Sequence, residues 1–107
     1  MKRVVITGAG TINALGHNVP DTLEAMREGR CGIGDLAFRD VDRLAIRIGG
    51  QVRGYEPETR FNRQQLSLYD RFTQFTLIAA REALAQAGLE VSGELAAKSG
   101  VVLGKSR

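Results

Sequence analysis

The stretch Val4-Val5-Ile6-Thr7-Gly8-Ala9-Gly10 decides the fold class. A continuous β-branched run without polar alternation, closed by glycines, predicts a strand buried on both faces, as in a parallel sheet. A second run of the same kind, Gly100-Val101-Val102-Leu103-Gly104, predicts another buried strand near the other end. What lies between them alternates helix and strand, so the chain reads as α/β.

Outward from the first run, Thr11 to Asn18 is small and polar, with a turn expected at Gly16. A helix is predicted from Pro20-Asp21, where proline suits the first turn and the acid suits the positive helix end. Leu23, Met26 and Arg27 follow at helical spacing, and Gly29 is the left-handed C-cap. Gly32-Ile33-Gly34 reads as a loop. Leu44 to Val52 alternates and predicts a strand exposed on one face, broken by Gly49-Gly50. The strongest pattern is a single helix from Arg63 to Ala87, with Leu68, Phe72, Phe75, Ala79, Ala80, Ala83, Leu84 and Ala87 as its apolar stripe. Leu77 and Ile78 lie off that stripe. The alanine-rich second half suits the close approach of a neighbouring element, and Gly88 caps it. A weak short helix is expected within Val91 to Ser99. No helix follows the last predicted strand to cover a sheet face, so the chain reads as cut off.

Composition narrows the function. The chain has 107 residues, 43% hydrophobic and 25% charged, which allows at most one domain. Lys and Arg total 15 against 12 Asp and Glu, a formal +3. The arginines are scattered from Arg3 to Arg107, so no basic cluster marks a nucleic-acid binder. One cysteine excludes an internal disulfide framework and a cysteine zinc site, and it fits a reducing compartment. No apolar run approaches the roughly 20 residues of a membrane span, and the opening is too short for a signal peptide. A cytoplasmic protein is expected.

No residue pattern completes an active site. Thr7-Gly8-Ala9-Gly10 suggests a dinucleotide loop, but the third glycine position of that fingerprint is Asn13, and Ile12 and Ala14 fail the short-chain variant. A tight turn out of a buried strand is the reading. Cys31 follows a helix C-terminus, the wrong end of the dipole to activate a thiol, and reads as a small turn residue. His17 reads as a hydrogen-bonded or solvated loop residue. Asp70-Arg71 and Arg81-Glu82 read as surface or interface ion pairs on the long helix.

The order of segments closely resembles the N-terminus of β-ketoacyl-[acyl-carrier-protein] synthases of the condensing-enzyme family. The matching pieces are Lys2 to Gly8, Ala14-Leu15-Gly16, Glu28 to Ile33 and Ile48 to Val52. They continue with Asp70 to Phe75, Ala79 to Leu84, Ala87-Gly88-Leu89 and Gly100 to Gly104. Each piece alone is weak; all of them in order over residues 1–107 are specific. The resemblance implies the N-terminal portion of a thiolase-like duplicated αβαβα sandwich, roughly the opening quarter of a synthase. It implies decarboxylative condensation of a malonyl-carrier thioester with an acyl thioester in fatty-acid biosynthesis, without cofactor or metal. The acyl group is carried on a cysteine farther along and two later histidines assist. None of these three positions falls in this chain, so residues 1–107 alone are expected to be inactive. Acyl carrier protein, acyl and malonyl thioesters, and a homodimer or synthase-like heterodimer are the implied partners.

Two departures from the family pattern stand out. Where relatives of the fatty-acid type place several cations to dock the carrier, Arg63 remains, but Gln64, Ser67 and Leu68 replace the others. Where a small residue and a bulky apolar gate edge the acyl pocket, this chain has Ser106 and Arg107. A charge in an apolar channel is costly, so either specificity differs or the terminus is out of native register. A ketosynthase of a polyketide or other specialised pathway, a non-catalytic chain-length-factor-like homologue and a standalone structural α/β domain are the alternatives.

Overall fold

The computed structural model describes residues 2–106. Its elements are α1 (Val19–Arg27), β1 (Ile33–Asp35), β2 (Ile48–Gly50), α2 (Arg63–Leu68), α3 (Arg71–Ala87) and α4 (Gly93–Ala97). Two 3₁₀ turns, Val41–Arg43 and Pro57–Thr59, join them. The mixture of helices and a small sheet is compatible with an α/β chain.

The helix termini follow from local chemistry. The Asn18 side chain accepts the Asp21 N–H at 2.8 Å to start α1. Gly29, at φ 71°, ends it, with the Arg30 N–H returning to the Ala25 carbonyl. Gly88, at φ 67°, ends α3 in the same way. The weak helix near the chain's end is α4.

The long helix is two helices. Asn62 and Gln65 form a reciprocal capping box at the start of α2. Tyr69 is then extended (φ −102°, ψ 124°), and Asp70 caps α3 by accepting the Thr73 N–H at 2.8 Å. That bond holds the Asp70 carboxyl below the usual carboxylate range. Asp70 is thus a cap rather than an ion-pair partner: its short side chain satisfies a backbone donor that a continuous helix would have bonded itself. Gln74 bridges the break, donating to the Tyr69 carbonyl at 2.9 Å and accepting the Tyr55 hydroxyl.

The buried face also differs from the expected stripe. Gln74 and Ile78 are the buried residues of α3, whereas Leu68 is 73% exposed and Leu84 40%. In α1 the buried residue is Ala25, with Leu23 and Met26 exposed.

The sheet differs from expectation more deeply. Its two strands are antiparallel, with Ile33 opposite Gly50, Gly34 opposite Gly49 and Asp35 opposite Ile48. Gly32-Ile33-Gly34, read as a loop, contributes to β1, and Gly49-Gly50 lies inside β2 rather than breaking it. Partner backbone, not propensity, makes these glycine-rich runs strands. Conversely, Val4–Thr7 and Gly100–Gly104 form no strand and make no backbone pairing among the described residues. Val4, Ile6, Val101 and Val102 are each more than 80% exposed. A β-branched run supplies side chains for a sheet but not the ladder, and no neighbouring strand reaches either run. The buried parallel pair is therefore absent from residues 2–106.

The remaining core is small. Ala25, Phe61 and Ile78 are its buried apolar residues, and the Cα radius of gyration is 16.8 Å, against about 13 Å for a compact domain of this length.

Candidate functional site

Residues 8–11 lie along α3 in a regular register. A Cβ added to Gly8 would sit 2.1 Å from the Ala83 carbonyl oxygen, and one added to Gly10 would sit 1.9 Å from that of Ala79. The Ala9 N–H donates to Gln86 Oε1 at 2.6 Å and the Thr11 N–H to Glu82 Oε1 at 2.9 Å. Each step of two along the extended segment thus matches a step of four back along the helix. The rises agree: two extended residues cover about 6.6 Å and four helical residues about 6 Å. The glycines serve this close approach and not a turn, and the alanine-rich half of α3 receives them as its composition predicts. Glu82 adds a third connection, accepting the Val19 N–H at 2.8 Å through its other oxygen. It ties the N-terminal segment and the start of α1 to α3; it is not an ion pair with Arg81, whose guanidinium lies over the Phe61 ring at 5.4 Å.

Asn13, the residue that spoils the dinucleotide fingerprint, organises the loop that follows. Its Oδ1 accepts the Leu15 and Gly16 N–H groups, and its Nδ2 donates to the Thr11 and Thr22 hydroxyls, both at 3.0 Å. The sequence signal was an Asn three residues before a Gly, a side-chain-closed turn. A cavity of about 350 Å³ opens beside it, edged by His17, Asp21, Glu24, Arg30 and Arg53. Its cations are committed: Arg53 donates to the Asp35 carbonyl at 2.7 Å and Arg30 pairs with Glu28.

Neither reactive side chain has a catalytic partner. Nε2 of His17 lies 2.6 Å from the Arg53 carbonyl oxygen, the hydrogen-bonded loop role expected. Cys31 is exposed and free, and its Sγ receives the Ile33 N–H at 3.4 Å. No cluster of three His, Cys, Asp or Glu able to hold a metal occurs among the described residues. No helix among them is long and apolar enough to cross a membrane.

Arg63, Gln64, Ser67 and Leu68 are all exposed on α2. The Ser67 hydroxyl is spent on its own helix, donating to the Gln64 carbonyl at 2.7 Å. Ser106 is exposed, and Arg107 lies outside the described residues. Lys105, just before them, places its ammonium 4.7 Å from the Phe72 ring centroid.

Replacing Glu82 by Leu leaves the Thr11 and Val19 N–H groups without their acceptor. Hydrogen bonds to a charged group contribute about 1.5–3 kcal/mol each; with Glu82 half-buried, a combined loss of about 2–4 kcal/mol is expected. Chemical denaturation of the full-length protein measures it, and a loss below about 1 kcal/mol would remove Glu82 from this role.

The scaffold thus holds a tightly registered segment and an exposed helical corner, and its place among known proteins is direct. The family described as "Beta-ketoacyl synthase, N-terminal domain" matches residues 1–107. Nodulation protein E of Rhizobium sp. (strain N33) is 39% identical over 103 residues, 96% of this chain and 25% of that protein. The 3-oxoacyl-[acyl-carrier-protein] synthase 2 of Staphylococcus aureus (strain N315) is 33% identical over 103 residues, and that of Synechocystis sp. (strain ATCC 27184 / PCC 6803 / Kazusa) is 34% identical, again with 96% of this chain and 25% of the relative covered. The chain thus spans about a quarter of the length of the curated relatives it matches. Both the order of its motifs and the match along its whole length place the chain in the beta-ketoacyl synthase family.

Proposed function

We propose that residues 1–107 are the N-terminal portion of a β-ketoacyl synthase domain of thiolase-like duplicated architecture. Its reaction is the decarboxylative condensation of a malonyl-carrier thioester with an acyl thioester. The carrying observation is the match of 96% of the chain to relatives named 3-oxoacyl-[acyl-carrier-protein] synthase 2, with the family match over residues 1–107. An acyl group rests as a thioester on a cysteine beyond residue 107. Loss of CO2 from the malonyl group leaves a carbanion that attacks the acyl carbonyl, releasing the enzyme thiolate and a 3-oxoacyl-carrier two carbons longer. The partners are acyl carrier protein and a second synthase or synthase-like subunit, in the cytoplasm. Arg63 meets the carrier, and Ser106 and Arg107 edge the acyl pocket.

A specialised pathway is the second reading. The relative named for nodulation is 39% identical where those named for 3-oxoacyl-carrier synthesis are 33–34%, and α2 carries Gln64, Ser67 and Leu68 in place of cations.

Acylation mapping tests the proposal. The full-length protein incubated with an acyl thioester should gain one acyl mass on a cysteine beyond residue 107, and Cys31→Ser should still acylate and turn over within about tenfold of wild type, ~1.4 kcal/mol in barrier. Acylation at Cys31, or none anywhere, would overturn it.

A further inference from the structure

Lys105 joins two parts of the chain that lie far apart in sequence. Its ammonium lies 4.7 Å from the centroid of the Phe72 ring, in the first turn of α3. The same charge acts on Asp70, the N-cap of that helix. The Thr73 bonds hold the Asp70 carboxyl below its usual range, and Lys105 adds to the lowering. A ring face and a carboxylate from one helix start thus both attract this cation.

Lys105 stands at a junction. Before it, Gly104 closes the Gly100–Gly104 run and, without a side chain, leaves the backbone direction open. After it come Ser106 and Arg107, the residues proposed to edge the acyl pocket. Neighbouring strands can fix the run up to Gly104 through backbone hydrogen bonds, but a ladder does not dictate where the chain goes next. An anchored side chain at the first position past the glycine does. A cation–π contact at the weak end of its range shifts an equilibrium about two- to fivefold. That is enough to bias where residues 106–107 sit, and too little to decide whether the protein folds.

We infer that Lys105, anchored on Phe72, is a positioning residue that sets where Ser106 and Arg107 lie and thereby which acyl lengths the pocket accepts. The inference rests on the proposed condensation and adds to it two specificity-determining residues that act through the pocket edge.

The test uses the full-length protein with hexanoyl and hexadecanoyl thioesters, and follows amide exchange of residues 105–107 alongside. In Lys105→Ala the ratio of kcat/KM for the two thioesters should change by about threefold, and exchange should speed by a similar factor. Phe72→Leu should move both readouts in the same direction. Combining the two substitutions should add little to either alone, as residues sharing one contact require. Lys105→Arg, which keeps a cation over the ring, should retain the wild-type ratio. An unchanged ratio in Lys105→Ala, an equal loss with both thioesters, or fully additive effects would overturn the inference. If the wild-type protein condenses neither thioester, faster exchange in Lys105→Ala and Phe72→Leu would count against the proposed reaction and support the anchor. Unchanged exchange would overturn the anchor as well.

Discussion

Expressed as an isolated polypeptide, residues 1–107 should not melt cooperatively. Val4, Val5, Ile6, Val101, Val102 and Leu103 are all at least 60% exposed, and their backbone groups make no ladder among the described residues. At ~25 cal/mol per Å², each 200 Å² of apolar surface left in water forgoes about 5 kcal/mol. That is the lower end of the entire stability of a folded domain, 5–15 kcal/mol. Two β-branched edges without partners are also templates for association. We expect oligomers or a loosely packed species by light scattering, a broad thermal transition, and fast amide exchange across residues 4–7 and 100–104. In the full-length protein, where the proposed architecture supplies neighbouring strands, the same amides should be protected. A soluble monomer of residues 1–107 with a sharp transition would favour a standalone domain.

Gly10→Ala should be the most damaging small substitution in the described region. The new Cβ would meet the Ala79 carbonyl oxygen at 1.9 Å and its carbon at 2.8 Å. Those are backbone atoms of a helix, so no rotamer change relieves the clash. The segment must lift from α3, and the Ala9–Gln86 and Thr11–Glu82 hydrogen bonds lengthen together. Overpacking costs about 1–3 kcal/mol before any hydrogen bond is lost; losing the bond to the charged Glu82 adds about 1.5–3, and losing that to the neutral Gln86 amide about 0.5–1.5. A loss of about 3–5 kcal/mol in the full-length protein is expected, seen as a lowered denaturation midpoint. Gly29→Ala has open space around it and answers only to its positive φ, so about 1 kcal/mol is expected there. Equal losses at the two glycines would contradict the register along α3.

What was legible in the sequence was local. Pro20-Asp21, Gly29 and Gly88 announce where helices begin and end, because first-turn and cap preferences are set by residues a few positions apart. The alanines of α3 announced a close neighbour for the same reason. Asp70 gives no sign of a helix start because the long apolar stripe continues past it, and only the cap bond to Thr73 reveals the break. β1 is hidden since Gly32-Ile33-Gly34 carries no strand propensity, and β2 falls inside the strand expected over Leu44 to Val52 but at the glycines expected to break it; the pairing joins residue 33 to residue 50. Val4–Thr7 misled in the opposite direction: its side chains suit a sheet that the described residues do not build. On the candidate site, Glu82 looked like half of an ion pair, and its three-way role required knowing that residues 11 and 19 both reach α3. The family itself was legible because many weak motifs occur in one order, something no single site residue conveyed.

As proposed, these residues belong to a working condensing enzyme. The direct measurement is product analysis with the full-length protein, an acyl thioester and malonyl-carrier isotopically labelled at its free carboxyl. One labelled CO2 should be released for each 3-oxoacyl-carrier formed, with the product two carbons longer than the acyl donor and free of the label. Absence of that product, or CO2 released with no 3-oxoacyl-carrier, would contradict it.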